Sequence, residues 1–553
     1  MPDAWASDGA LRRALRFHLG DELFSLAETE LAAMGELVAS ERALALLAKA
    51  AREEPIHIPY SAWGARIDDI IVSDAYLELG RIGVEAGVTA LPYENGPYGD
   101  KARLVWAGLI ALWGPASAMY ACPVAMTDAA ARTLLEHGGP EVLDVVGRLT
   151  ARDPARAWTS GQWMTETAGG SDVGRTGTVA RLEDGRWRLY GTKWFTSATT
   201  SEMALTLARP EGAPEGSRGL ALFRVERLLP DGSRNRIVVR RLKDKLGTRT
   251  LPTAELELQG ALAHPVGDPH DGRGVARIAT MLNITRIHNA LGSVGSLGRG
   301  LALARAFAQV REVFGRPLHE QPAHRATLTE LAVDHAAALA LTLRCCELTG
   351  KAEHGSAREQ DLALLRGLTP VTKAATARWA VAGAAEAMEA IGGVGYCEDS
   401  LVPLLVRDTH VQPIWEGTTN VLALDLLRAE AKHGALAAMV EDARAAAQRC
   451  AAEPALARPA GAVLEALGEI EVRAQRLQGD PDAAQAAARP LLLSIALTYA
   501  CARLCLQAAS ELGSGELRSA ALAARLAQRG LVLPEPPASL ELALDQPPAS
   551  QHA

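Results

Sequence analysis

The sequence predicts an α+β protein that is mainly helical, with one β domain set between helical blocks. Three observations carry this. Alanine and leucine dominate the chain while aromatic residues make up only 4%, a bias toward helix formers. The stretch DGALRRALRFHLGDELFSLAETELAAMGELV places apolar residues three and four apart, the period of a buried helix face. Between residues 187 and 260 the period shortens: WRLYGTKWFTSA, GLALFRVERL, RIVVRRL and TAELELQG are short and partly alternating, and turn formers such as GAPEGS and PDGSRN separate them.

Four domains are expected in order. Residues 1–157 are expected to form an N-terminal α domain closed by the loop LTARDPARAW. Residues 158–271 form the β domain, and residues 272–433 a helical bundle broken at FGRPLHEQP and GGVGYCEDS. Residues 434–553 form a further helical domain with breaks at AAEPALARPA and QGDPDA. The tail LPEPPASLELALDQPPASQHA is expected to be mobile in its last residues.

Composition narrows the class of function. The formal charge is -8, hydrophobic residues are 48% and charged residues 22%, ordinary for a soluble globular chain. The acidic balance gives no reason to expect a membrane or nucleic-acid surface overall. Seven cysteines, an odd number without a CxxC pair, read as reduced thiols of a cytoplasmic protein, with no zinc site. The N-terminus MPDAWASDGALRRAL has no apolar signal core, and no run approaches the roughly 18 apolar residues of a membrane helix.

Five stretches carry chemistry. In MTETAGGSDVGRTGT (164–178), Gly169 and Gly170 suit close backbone approach to a flat or anionic ligand, or equally a Gly-Ser surface loop. In GTKWFTSA (191–198), a Trp-Phe pair beside Thr196 and Ser197 suits the wall of an aromatic ring, or a sheet core with polar flanks. REVFGRPLHEQP (311–322) offers guanidinium forks for phosphate, or a capped helix end. AMEAIGGVGYCED (387–399) gives a tight glycine passage after a helix, fit for a dinucleotide or for a helix stop. PIWEGTTN (413–420) puts one carboxylate, Glu416, between Trp415 and Gly417; spacing alone leaves it a candidate base or a carboxylate near a helix N-terminus. On the helix NITRIHNALGSVGSLGRGLALARAF, Gly292, Gly295 and Gly298 favour close helix packing over room for an acyl chain, and Arg286 favours a salt bridge over a substrate contact.

In this order the stretches MTETAGGSDV, KWFTSA, REVFGRPL, AIGGVGY and IWEGTTN, with LKDKLGTRT, resemble the acyl-CoA dehydrogenase superfamily of flavoproteins. CPVAMT, RLEDGRWRLYGTKWF, LLPDGSRNRI and the helical block after 433 make the chain most similar to the AidB branch, the alkylation-response flavoproteins. The resemblance implies an N-terminal helical domain, a middle β-barrel and a C-terminal bundle, with FAD between barrel and bundle in a homotetramer built as a dimer of dimers. It implies Met164, Thr165 and Ser171 near the flavin, and Phe195, Thr196 and Ser197 along the isoalloxazine ring. Arg311, Phe314 and Gln321 would reach the adenosine diphosphate half of FAD in a neighbouring subunit. Gly392 and Gly393 would pass the same dinucleotide, and Thr418 and Asn420 would lie beside it.

The implied reaction is α,β-dehydrogenation of an acyl-CoA thioester. Glu416 would take the α-proton while the β-hydrogen leaves as hydride to flavin N5, and electrons would pass to an electron-transfer flavoprotein. Gly417 would let one residue supply both the base and an amide for the enolate oxygen. No metal is implied. The AidB branch is also associated with DNA through its C-terminal region. Residues 431–553 hold 11 Lys or Arg against 13 Asp or Glu, a net of 11 − 13 = -2, which does not favour phosphate binding. A stripe of Arg428, Arg518, Arg525 and Arg529 is the local alternative.

Overall fold

The computed structural model describes residues 2–535 and position 543; the last residues of the tail, expected to be mobile, lie outside the described residues. The chain forms two compact units. One comprises residues up to Arg358 together with Thr376–Gly417, the other Glu359–Ala375 together with the chain from Thr418 on.

The β domain of the first unit is a closed barrel. Val179–Glu183 pairs with Arg186–Ser197, which pairs with Thr253–Pro265, then Ala221–Glu226, then Met203–Pro210, which returns to Val179–Glu183. Ser160–Gln162 and Ile237–Leu242 attach to this ring. The first hairpin turns at Asp184 and Gly185, with φ of 50° and 72°, the Asp-Gly signature of a two-residue turn matched to strand twist. Closure removes the exposed edges that an open sheet would carry. Inward residues such as Leu189, Phe223, Val225, Leu256 and Leu258 fill the interior.

The helical part of this unit is built on Gly274–Val310, a 37-residue helix. Its glycines are packing positions, as the sequence favoured. A Cβ at Gly295 would stand 2.6 Å from the Ala111 carbonyl, and one at Gly298 2.8 Å from Asp8 Oδ2. A buried ionic cluster ties four helices together. Arg103, 1% exposed, donates to both oxygens of Asp128 at 2.7 and 3.0 Å and to Glu353 at 2.7 and 2.9 Å. His288 Nε2 lies 2.8 Å from Asp128 Oδ2, and Tyr93 donates its hydroxyl to the same carboxylate at 2.6 Å.

The N-terminal block is not wholly helical. Ile56–Tyr60 and Arg66–Ile71 form an antiparallel hairpin: IHIPY alternates with the period of a strand, and the β-branched isoleucines of RIDDII pair with it across a Gly-containing turn. Asp68, buried inside it, accepts from Arg66 at 2.8 Å and from the Val239 amide at 3.2 Å, so the hairpin is fixed to the barrel strand Ile237–Leu242.

The second unit is helical: Thr419–His433, Ala435–Cys450, Ala457–Arg476, Pro481–Leu512 and Arg518–Gln528. Pro481–Leu512 is long and apolar enough to cross a membrane by length and composition, where the sequence pattern led us to expect none; 78% of its apolar window is buried. It is the core helix against which its neighbours pack, and Tyr499 on it donates to Asp442 at 2.5 Å. Basic side chains of this unit meet carboxylates: Arg444 meets Glu471, Arg476 meets Glu535 and Arg518 meets Glu516.

Arg103→Ala should cost about 3–5 kcal/mol of stability, because it strands Asp128 and Glu353 as buried charges; urea unfolding measures it. Burial alone would raise the carboxyls of Asp128 and Glu347. Arg103 and His288 outweigh it for the first, and His18 and Arg344 for the second, so both are held below their ordinary values. Their contribution is therefore in force above about pH 4, the ordinary carboxyl range, and is lost as pH falls further. The thermal midpoint should drop below about pH 4, and the Asp128→Asn variant should show a weaker acid dependence.

Candidate active site

Glu416 sits on a turn that the backbone resists. Its φ is 56° and that of Gly417 is 102°. Glycine tolerates the second value; a glutamate at the first is strained. Neighbouring elements of the same unit hold the turn in place. From the helix Gly274–Val310, Arg286 Nε donates to the Glu416 carbonyl at 3.3 Å and Asn289 Nδ2 to the Gln412 carbonyl at 3.1 Å. From the strand Ser160–Gln162, Gln162 Nε2 donates to the Glu416 carboxylate at 3.4 Å. Trp415 packs on a cluster that includes Tyr120, Cys122 and Met164. Arg286 thus acts on the backbone of the turn. Burial pushes the Cys122 thiol up, and the charge of Glu416 adds to this against the pull of Lys245; this cysteine is a neutral wall.

The loop carrying Met164, Thr165 and Ser171 reaches the same region of the barrel. Met164 and Thr165 are half-buried and Ser171 is exposed. The Thr165 carbonyl accepts from the Trp194 amide at 2.8 Å, which joins this loop to the strand carrying Phe195, Thr196 and Ser197. A second and stronger tie was not singled out from the sequence. Lys193, fully buried, donates to Glu166 Oε1 at 2.8 Å and to the Leu207 carbonyl at 3.0 Å. Glu166 also accepts from the Gly177 amide at 2.7 Å and the Thr178 hydroxyl at 2.6 Å. Burial would raise the Glu166 carboxyl, but Lys193 and these donors hold it below its ordinary value. The signal was present as charged residues placed between apolar or small neighbours in MTETAG and GTKWF, positions a solvated charge does not need.

On the strand, Phe195 is half-buried. Thr196 donates to the Ala254 carbonyl at 2.8 Å, and Ser197 lies 3.3 Å from the Thr253 hydroxyl. The Trp194 ring is covered by Lys243, whose Nζ stands 3.7 Å from the ring centroid.

The other predicted residues lie on further segments of the chain. Arg311 comes directly after the long helix, 25 residues (311 − 286) beyond Arg286, roughly 37 Å at 1.5 Å per residue. Phe314, with φ 49° and 98% exposed, forms the tip of the short hairpin at this end. Gln321 braces that hairpin, donating to the Val313 carbonyl at 3.0 Å and accepting from Arg316 at 3.0 Å. Gly392 and Gly393 are exposed in the turn Gly392–Tyr396. Thr418 and Asn420 belong to the second unit, where Thr418 precedes the helix Thr419–His433 and Asn420 accepts from Arg489 at 3.5 Å.

The residues around Glu416 fit a polar aromatic cofactor. Gln162 Oε1 is buried and without a hydrogen-bond partner, an acceptor beside the Glu416 carboxylate waiting for a donor. At Gly170 a Cβ would stand 3.2 Å from Thr165 Oγ1, so a side chain there would crowd the loop hydroxyl.

Profiles of known families match three consecutive stretches. Residues 1–153 match the adaptive response protein AidB N-terminal domain, residues 161–261 the acyl-CoA dehydrogenase middle domain, and residues 272–431 the acyl-CoA dehydrogenase C-terminal domain. Acyl-CoA dehydrogenase family member 11 of Caenorhabditis elegans is 42% identical over 434 residues, covering 77% of this chain and 70% of that protein. The putative acyl-CoA dehydrogenase AidB of Escherichia coli K12 is 35% identical over 408 residues, covering 72% and 73%. The crystal structure of C. elegans ACDH-11 in complex with C11-CoA superposes with a TM-score of 0.92 at 36% identity, covering 96% of this chain and 92% of that one.

Glu166→Gln should leave Lys193 buried without a counter-charge and destabilise the loop 167–176 by about 3–5 kcal/mol. Limited proteolysis should then cut within that loop; protease resistance equal to the parent's would show that the amide bonds of Gly177 and Thr178 suffice.

Proposed function

Since the chain belongs to the acyl-CoA dehydrogenase family and is a FAD-dependent oxidoreductase of that type, we propose that it carries out α,β-dehydrogenation of an acyl-CoA with Glu416 as base. The single observation that carries this is the strained turn at Glu416 and Gly417, held by contacts from the helix Gly274–Val310 and the strand Ser160–Gln162. Strain of this kind persists where the surroundings over-determine it, and it collects at active sites.

Bound FAD supplies the acceptor for the substrate's β-hydride. Glu416 takes the α-proton onto its carboxylate, and its backbone amide donates to the thioester oxygen as charge develops there. Gln162 orients the carboxylate through its amide nitrogen and offers its unpaired oxygen to the cofactor. Arg286 fixes the Glu416 carbonyl, so the base does not wander when substrate enters. Thr165, Ser171, Phe195, Thr196 and Ser197 hold the flavin with Met164 beneath it.

Arg311, Phe314 and Gln321, with Gly392 and Gly393, serve the cofactor of another copy in a homotetramer. What supports this is the distance along the helix between Arg286 and Arg311 and the full exposure of Phe314. The C. elegans structure holds C11-CoA, which supports a fatty acyl-CoA as substrate here, and we place the reaction in cytoplasmic fatty-acid metabolism with an electron-transfer flavoprotein as acceptor. The DNA reading gains no support, since Arg518 of the candidate stripe faces Glu516.

Anaerobic addition of an acyl-CoA series should bleach the bound flavin. Glu416→Gln should retain FAD and slow bleaching by about 10²–10⁴-fold. A variant that bleaches at the parent rate would remove Glu416 from the reaction.

A further inference from the structure

The loop Lys245–Leu251 of the motif LKDKLGTRT is packed against the segments that carry the site. Gly247 allows this, because a Cβ there would stand 2.2 Å from the Arg407 carbonyl. The Thr248 amide, in a residue with φ 55°, donates to the half-buried Asp408 at 2.6 Å. The Thr250 hydroxyl donates to the Ala118 carbonyl at 2.5 Å. Inside the loop lies a cation. Lys245 Nζ donates to the Thr248 carbonyl at 2.6 Å, the Leu251 carbonyl at 2.8 Å and the Thr253 hydroxyl at 2.9 Å.

An ammonium has three donors and no acceptor, so these three contacts exhaust it and fix the direction of the neighbouring hydroxyls. Thr253 Oγ1 receives a hydrogen bond from Lys245, and its own hydrogen must go elsewhere. Its neighbours are Ser197 Oγ at 3.3 Å and, farther away, the Leu251 carbonyl at 3.5 Å. The shorter contact makes Ser197 the nearer acceptor for the Thr253 hydrogen, an arrangement in which the hydrogen of Ser197 is turned away from the strand pair. Burial pulls Lys245 down to about 8, with the charges of Asp408 and Glu54 pulling back.

We propose that Lys245 is a positioning residue for the flavin, aiming the Ser197 hydroxyl at the cofactor through Thr253 and placing a fixed positive charge behind it. This rests on the assignment of Ser197 to the flavin wall. A donor backed by a cation favours the more electron-rich, reduced cofactor, so the chain makes the bound flavin easier to reduce.

The test is the midpoint potential and absorption spectrum of the bound flavin in Thr253→Val, Ser197→Ala and their double variant, with Lys245→Met as a fourth. Thr253→Val keeps the shape of the side chain and leaves the two carbonyl contacts of Lys245 in place. It should shift the potential to a more negative value by about a tenfold change in the ratio of reduced to oxidised binding, equivalent to about 30 mV for a two-electron couple. Ser197→Ala should do the same and the double variant no more, because the residues act in series. A potential and spectrum in Thr253→Val equal to the parent's would overturn the proposal and leave Lys245 a loop brace. A parent protein that binds no FAD would instead overturn the assignment of the site, so the two failures are distinct.

Discussion

The site depends on holding a glutamate in a backbone conformation that L-residues avoid. A left-handed φ costs a residue such as Glu416 roughly 1–2 kcal/mol. The contacts that hold the turn come from far along the chain: Arg286 and Asn289 from the long helix, and Gln162 from a barrel strand. This explains why the barrel and the helices must be fixed to each other with little play. A shift of the helix against the barrel would release the turn before it disturbed either core.

Buried charge supplies that fixing. Each of three polar clusters joins elements that apolar packing alone would let slide. Arg103 gathers carboxylates from two helices, Glu166 and Lys193 join a loop to a strand, and Lys245 gathers its own loop onto Thr253. Burying a charge is costly unless its partners are placed within a few tenths of an ångström. That cost is what makes the geometry specific: a misplaced helix leaves an unpaired ion, whereas a misplaced leucine finds another neighbour. The same reasoning explains why the lysine behind Ser197 carries a direction along with its charge, since all its donors are spent on named acceptors.

The sequence was most legible where a local period or a local motif decides the structure. The helical blocks, the barrel strands at 187–198 and 253–260 and the turn at Glu416 could be read because each is written in consecutive residues. The hairpin Ile56–Tyr60 with Arg66–Ile71 was missed although the alternation of IHIPY is plain, because the surrounding helical signal was extended across it. Glu166 and Lys193 were missed for a different reason. They lie 27 residues apart in sequence (193 − 166), and only the fold shows that they neutralise each other. That Arg286 holds a backbone carbonyl of the turn is something no sequence pattern marks.

The distance between motifs says more than the motifs do. FAD-type chemistry needs its base, its ring wall and its phosphate anchors within the reach of one cofactor. Along the helix Gly274–Val310, the residue that fixes Glu416 and the residue that opens the phosphate-type motif are separated by roughly 37 Å of rigid rise. A straight helix of that length cannot fold back to bring its end to its middle. The hairpin at that end, with Phe314 on a left-handed tip and braced from within by Gln321, is stiff enough to be presented to something outside its own chain. On the proposed reading the order of motifs in the sequence is the order of two half-sites, and it is the length of the helix between them that argues for giving the second half to another copy.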